Sequence, residues 1–436
     1  MTTKYQTIIS NIEQDIQKQR LKKGDKLPSI RVLSKVYHCS KDTVQRALLE
    51  LKYRHLIYAV PKSGYYVLGN VSMPDNVLNL SLEDYNNMAY EDFRLCLNEA
   101  LSAKDKYLFH YYHKTEGLEE LREALLLYLA ENSVYSNKDQ LLITSGTQQA
   151  LYILSQMPFP NAGKTILLEK PTYHRMEAIV AQLGLPYQTI SRHFNGLDLE
   201  LLESLFQTGD IKFFYTISRF SHPLGLSYST KEKEAIVRLA QRYQVYILED
   251  DYLGDFVKLK EPPIHYYDTH HRIIYLKSFS MSVFPALRIG ALVLPSGLKP
   301  HFLTQKSLID LDTNLLMQKV LALYLENGMF QKNLRFIKRY LKQRERQLAL
   351  FLKQNCPDIH YQLTPTHLVI DYTTSDSYRN FTLDKSDRII ITGKKTLSLY
   401  CYQSTNTKQI KLTNQKYLWK EQLTFLRTIN IKNGDK

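Results

Sequence analysis

Residues 141–154 read LLITSGTQQALYIL: four apolar residues, a turn of small residues, then a helix start. Strand, turn and helix in that order make the repeating unit of an α/β layer. Working outward, further short apolar runs appear at KTILLE (164–169), IKFFYTI (211–217), VYILED (245–250), RIIYLK (272–277) and GALVLP (290–295). Helix-like stretches such as KEKEAIVRLAQRYQ (231–244) separate most of them. Runs that are apolar along their whole length belong to a mostly parallel sheet covered on both faces. Ligands of such sheets sit beyond the carboxyl ends of the strands. At those ends the sequence has Ser145-Gly146-Thr147 opening a helix, Glu249-Asp250-Asp251-Tyr252, and Ser278, Ser280 and Arg288. Hydroxyls and N–H groups at a helix start suit a phosphate, and an Arg suits an anion. A capped helix or a solvated acidic turn explains each feature alone. Together they describe a pocket with a phosphate cradle and a carboxylate opposite.

The chain is 436 residues long, 44% hydrophobic and 11% aromatic, enough for two or three domains with cores of their own. Its four cysteines have no paired spacing and its histidines are not clustered, which excludes a disulfide scaffold and a zinc module. There is no secretory signal and no run of 18 apolar residues, so a cytoplasmic protein with no membrane part is expected. The net charge is +14, and residues 1–70 alone carry 13 basic against 5 acidic side chains. A basic module on a nearly neutral body suggests a reader of double-stranded DNA joined to something else.

Within that module Ile8, Ile9, Ile12 and Ile16 form a helical stripe. After Pro28, Ser29 caps a short second helix with Ile30, Leu33 and Val36 on its apolar face. Ser40 caps a third, whose apolar face is Val44, Ala47, Leu48 and Leu51, with Lys41, Gln45 and Lys52 opposite. LIYAV, PKSG and YYVLG then read as a two-stranded wing. A short capped helix followed by a basic-faced one fits a helix-turn-helix, whose second helix enters the major groove. The bland alternative is a small three-helix domain with a solvated polar face.

KGDKLPSIRVLSKVYHCSKDTVQRALLELKYRHLIYAVPKSGYYV resembles the GntR-type winged helix. It keeps Leu27-Pro28-Ser29, Arg31, Leu33, Ser40, Thr43-Val44, Ala47-Leu48 and Leu51, and departs at Ser63-Gly64, where that family has G-x-G. The resemblance implies DNA contacts from Arg31, Ser40, Lys41, Thr43 and Gln45, with Lys62 and Gly64 in the wing. The body resembles fold-type I pyridoxal-phosphate aminotransferases: YHKTEGLEELREAL, SGTQQAL, Glu169-x-Pro171-x-Tyr173, EDDYLGDF and SFSMSVFPALRIG fall in the family's order. The whole chain is therefore similar to MocR-type regulators, which fuse the two. The implied organisation is a winged helix at 1–69, a linker at 70–84, and an α/β aminotransferase-like effector and dimerisation domain at 85–436. The implied cofactor contacts are Tyr112, lent to the partner subunit of a homodimer, and Ser145, Gly146 and Thr147 at the phosphate. Tyr173 lies by the ring, Asp250 at the ring nitrogen and Tyr252 at the ring hydroxyl. Ser278, Ser280 and Arg288 also line the phosphate side.

The sequence departs from that family at Met281, where the Schiff-base lysine is expected. Ser280, Pro285, Arg288 and Gly290 are all in register around it. A thioether forms no imine and relays no proton. Lys277, four residues earlier, is expected to point elsewhere. Lys411 stands where the family's carboxylate-clamping Arg is expected, keeping the charge but losing the fork. The expectation is a non-enzymatic transcription regulator whose pocket binds pyridoxal phosphate non-covalently or another small effector, or has become structural. The competing classes are a transaminase with an appended DNA module and a DNA-binding protein with an inert body.

Overall fold

The computed structural model describes residues 4–54, 56–60, 63–68, 82–101, 107–110, 114–193, 195–222, 224–257, 261–355, 360–365, 367–371, 397–403 and 406–412. Lys62, Tyr112 and most of the expected linker lie outside the described residues. The chain forms two compact units, residues 1–106 with 319–337, and residues 107–318 with 338–436.

The first unit opens with α1 (Lys4–Gln17), α2 (Ile30–Val36), α3 (Lys41–Tyr53), β1 (Ile57–Val60) and β2 (Gly64–Val67). Both expected caps form. The Ser29 hydroxyl accepts from the Val32 N–H and the Ser40 hydroxyl from the Thr43 N–H at 3.1 Å. These bonds satisfy N–H groups that a helix start leaves unpaired. The isoleucine stripe of α1 packs on Val44, Ala47, Leu48 and Leu51 of α3 and on Leu33. Val36 is a correction: it is exposed, at the last position of α2 before the chain turns through His38 at φ 47°. β1 and β2 pair antiparallel as the wing, with Val60 opposite Gly64. The helix α4 (Leu82–Ala100) belongs to the same unit, as do the parts of two later helices that fall within 319–337.

The second unit contains α5 (Tyr107–His110), α6 (Glu119–Glu131), β3 (Leu141–Thr144), α7 (Thr147–Gln156), β4 (Thr165–Lys170) and α8 (His174–Gln182). It continues with β5 (Tyr187–His193), β6 (Gly196–Leu197), α9 (Leu199–Gln207), β7 (Ile211–Thr216), α10 (Thr230–Arg242) and β8 (Tyr246–Asp251). Then come β9 (Ile273–Ser278), β10 (Gly290–Val293) and α11 (Lys299–Ile309). The helices α12 (Leu315–Glu326) and α13 (Met329–Asn355) contribute residues to both units. A small sheet follows, β11 (His360–Leu363), β12 (His367–Asp371), β13 (Leu397–Gln403) and β14 (Asn406–Leu412).

The main sheet runs β3-β10-β9-β8-β7-β4-β5-β6. Neighbours from β9 to β5 are parallel; β10 is antiparallel to both β9 and β3. Successive residues of the central strands enter opposite cores. Ile166, Leu168, Phe213 and Leu248 pack with α7, α8 and α11, while Leu167, Phe214 and Ile247 pack with α9 and α10. Both faces are covered, which is why these strands read as unbroken apolar runs. The mostly parallel α/β sheet expected from the sequence is present.

Candidate ligand site and DNA-binding face

The register of β10 brings distant residues together: Gly290 lies opposite Thr144 on one side and Ser278 on the other. The Thr144 hydroxyl donates to the Gly146 carbonyl at 3.0 Å, folding the turn over the strand end. Gly146 has φ 79°, and a Cβ there would lie 2.9 Å from a guanidinium nitrogen of Arg288. A Cβ on Gly290 would lie 2.9 Å from the Thr144 hydroxyl. Two glycines thus let the turn opening α7 settle against Arg288, itself in the left-handed region at φ 54°. The structure brings the SGT turn and Arg288 together. The Ser145 hydroxyl donates to Asp310 at 2.5 Å, and the Ser145 N–H donates to the Gln149 side chain at 2.9 Å. Asp310 follows α11 and was not anticipated, because nothing in its local sequence ties it to a turn 165 residues earlier. The Ser278 hydroxyl accepts from the Ser280 N–H at 3.3 Å, and Met281 is half-buried in the turn that follows.

Three acidic residues end β8, and alternation along the strand separates them. Glu249 accepts the N–H groups of Ile264 and His265 at 2.7 and 2.9 Å. Asp251 forms a buried ion pair with Arg219 and accepts from Tyr275 at 2.5 Å. Asp250 points the other way. One of its oxygens accepts from Tyr215 at 2.9 Å, and the other is buried without a partner. Burial pushes the Asp250 carboxyl up to about 7, against the Tyr215 hydrogen bond. Burial also opposes the charge of Asp251, but Arg219 outweighs it and holds that carboxyl below its usual range.

Beside this carboxylate the rings of Tyr173, His222 and Tyr252 follow one another, His222 lying 6.0 Å from Tyr173 and 6.5 Å from Tyr252. Tyr252 donates to the Phe220 carbonyl at 3.1 Å. Burial pushes the His222 imidazole down to about 4. The sequence alone did not single out His222, which meets Tyr173 and Tyr252 only in the fold. Lys277 lies opposite Asp251 in register, and its amine pairs with Asp255 at 2.8 Å. Tyr128 donates to the same carboxylate. The amine does point elsewhere, as expected.

On the winged helix, Arg31, Lys41 and Gln45 are exposed. Ser40 and Thr43 bond each other through their hydroxyls at 2.9 Å, so both take part in the cap. Gly64 opens β2 with φ 126°.

The fold and the strand-end site place the chain among proteins that join a helix-turn-helix to an aminotransferase-type α/β domain. The family described as "Bacterial regulatory proteins, gntR family" matches residues 4–67, and "Aminotransferase class I and II" matches residues 75–371. An HTH-type transcriptional regulator of Bacillus subtilis, YcxD, is 39% identical over 95% of this chain and 96% of its own length. Aromatic-amino-acid aminotransferase 1 of Thermococcus litoralis is 30% identical over 57% of this chain and 61% of its own. Among solved structures, the multiple substrate aminotransferase of Thermococcus profundus aligns with a TM-score of 0.56 at 27% identity, covering 63% of this chain and 70% of that one. The Pyrococcus horikoshii kynurenine aminotransferase aligns with a TM-score of 0.57 at 25% identity, covering 73% and 76%. The chain belongs to the MocR-like family of HTH-type transcriptional regulators, with a GntR-type DNA-binding domain and an aminotransferase-like domain. Among the described residues no helix is long and apolar enough to cross a membrane.

Proposed function

We propose that the protein is a cytoplasmic, dimeric transcription regulator whose aminotransferase-like domain senses a small ligand rather than catalysing transamination. In this reading residues 1–69 read DNA and residues 85–436 bind the effector and pair the subunits. The observation that carries it is Met281. It lies in register between Ser280 and Pro285, and the nearest preceding amine, that of Lys277, is held by Asp255.

The site suits pyridoxal phosphate bound without a covalent link. The Gly146 turn against Arg288 forms a cradle for the phosphate, with Ser145, Thr147, Ser278 and Ser280 nearby in sequence. The unpartnered oxygen of Asp250 suits a protonated ring nitrogen, and a cation there would keep this carboxylate ionised. Tyr252 would face the ring hydroxyl and Tyr173 the ring itself. When bound, the group offers an aldehyde to amines, so an amino acid or a related amine becomes a candidate co-effector. The chain's own residues hold and orient it. Met281 offers neither an amine nor a proton relay. The kynurenine aminotransferase of similar fold was solved with PMP, a related vitamer, which supports the same ligand class here.

The test is to mix full-length protein with pyridoxal phosphate and follow melting temperature and absorbance before and after borohydride. Saturable stabilisation is expected, because a ligand that binds only the folded state must raise it. The cofactor should be lost on dialysis even after borohydride. A lysine adduct fixed by borohydride in the native chain would overturn the reading in favour of a transaminase. The variant Met281→Lys should form such an adduct. If no B6 vitamer or amino acid shifts the melting temperature, the body is inert.

A further inference from the structure

Asp92 of α4 is fully buried within the first unit and gathers donors from two places. Lys23, in the loop between α1 and α2, reaches one carboxylate oxygen at 2.5 Å. Lys332 and Asn333 of α13 reach the other at 3.3 and 2.9 Å. The Lys332 amine also donates to the Leu68 carbonyl at 3.1 Å, just past the wing. Burial, with Lys23 adding to it, pulls the Lys332 amine below its ordinary range. One carboxylate therefore ties the winged helix to α4 and α13. A buried charge that loses one partner is left uncompensated, so such a tie opens as a unit.

On the same unit a cleft of about 660 Å³ runs along the wing. Its winged-helix wall holds Lys26, Arg31, Lys52 and Gly64; the other wall is Glu326 and Asn327, at the corner between α12 and α13. Arg31 and Gly64 are two of the residues expected to contact DNA. Lys41 and Gln45 on α3 stay exposed, so DNA can approach that helix. A phosphate strand entering the cleft would meet the Glu326 carboxylate among the cations it needs.

We propose that this arrangement is a closed state of the DNA reader. Asp92 latches the winged helix, and the α12–α13 corner denies DNA the wing-side cleft until the latch opens. The inference rests on the DNA-binding reading of the winged helix. Apparent affinity then falls by the fraction of molecules that are open.

The test uses the full chain and a random-sequence duplex of about 30 base pairs at low salt. Asp92→Asn keeps the shape but removes both ion pairs, and should bind about tenfold tighter than the native chain. Glu326→Gln, which leaves the latch alone, should bind roughly two- to fivefold tighter and show a steeper salt dependence. If Asp92→Asn does not fold, Lys23→Met breaks one of those two pairs from a partly exposed side chain and should also tighten binding. Folded latch variants that bind equally or more weakly would overturn the closed state and mark Asp92 as a plain scaffold. If no form binds any duplex, the DNA-binding reading itself fails, a result distinct from unchanged affinity.

Discussion

Glu249, Asp250 and Asp251 are adjacent in the chain and differ in fate because a strand sends alternate side chains to opposite faces. Glu249 and Asp251 are tied into backbone N–H groups and Arg219, while Asp250 keeps an oxygen without a partner. With its folded value raised to about 7, Asp250 favours the fold when protonated. That contribution is complete below its unfolded value near 4 and is lost as pH rises through about 7. His222, pushed down to about 4, acts oppositely. Its contribution is present above about 6.5 and lost as pH falls toward 4. Asp250→Asn should therefore match the native chain's melting temperature near pH 4 and exceed it by a margin that grows up to about pH 7 and then levels off, without ligand. The groups around it, Tyr215, Asp251 and Lys277, remain in both proteins. Parallel melting-temperature curves would exclude the assignment. At this scale the sequence made the residue types at each strand end legible. It could not reveal which carboxylate stays unpartnered, because that depends on Tyr215 and Arg219 from other segments. Asp310 and His222 were illegible for the same reason.

Among the elements, the recognition helix α3 was the most legible, since cap, apolar face and basic face all lie within one short stretch. The sheet was legible where both faces are buried. It was not at β5, whose residues YQTISRH are mostly exposed; only Ile190 and Arg192 are buried there, and it pairs with a two-residue strand on its outer side. Nor did the sequence show that β10 reverses direction, because an apolar run carries no sign of polarity. Two substitutions on the exposed face of α3 should behave differently. Lys41→Ala should weaken binding to all duplexes alike and reduce the salt slope by about one, as loss of a phosphate contact does. Gln45→Ala should cost roughly 1–3 kcal/mol on the cognate site alone, as loss of a base contact does. Equal losses on cognate and random DNA for both variants would remove Gln45 from base reading.

As a whole molecule, a regulator of this build should bring two readers to two half-sites. Light scattering at micromolar concentration should give about twice the chain mass of 51.1 kDa; a single-chain mass would refute the dimer. The two compact units were only partly foreseeable, since residues 319–337 join the N-terminal unit from far along the chain. Long-range pairing also sets a schedule for biosynthesis. The strand β3 forms the outer edge of the main sheet, and its neighbour there is β10, met 146 residues later. At ~5–20 residues per second, the ribosome leaves LLIT exposed for roughly 7–30 s before that neighbour exists. An unpaired apolar strand is sticky during such a wait. Arg288 comes just before β10, so the packing of the Gly146 turn against it also waits for that segment. For those seconds the nascent chain carries an apolar strand edge that only its own later segment can cover.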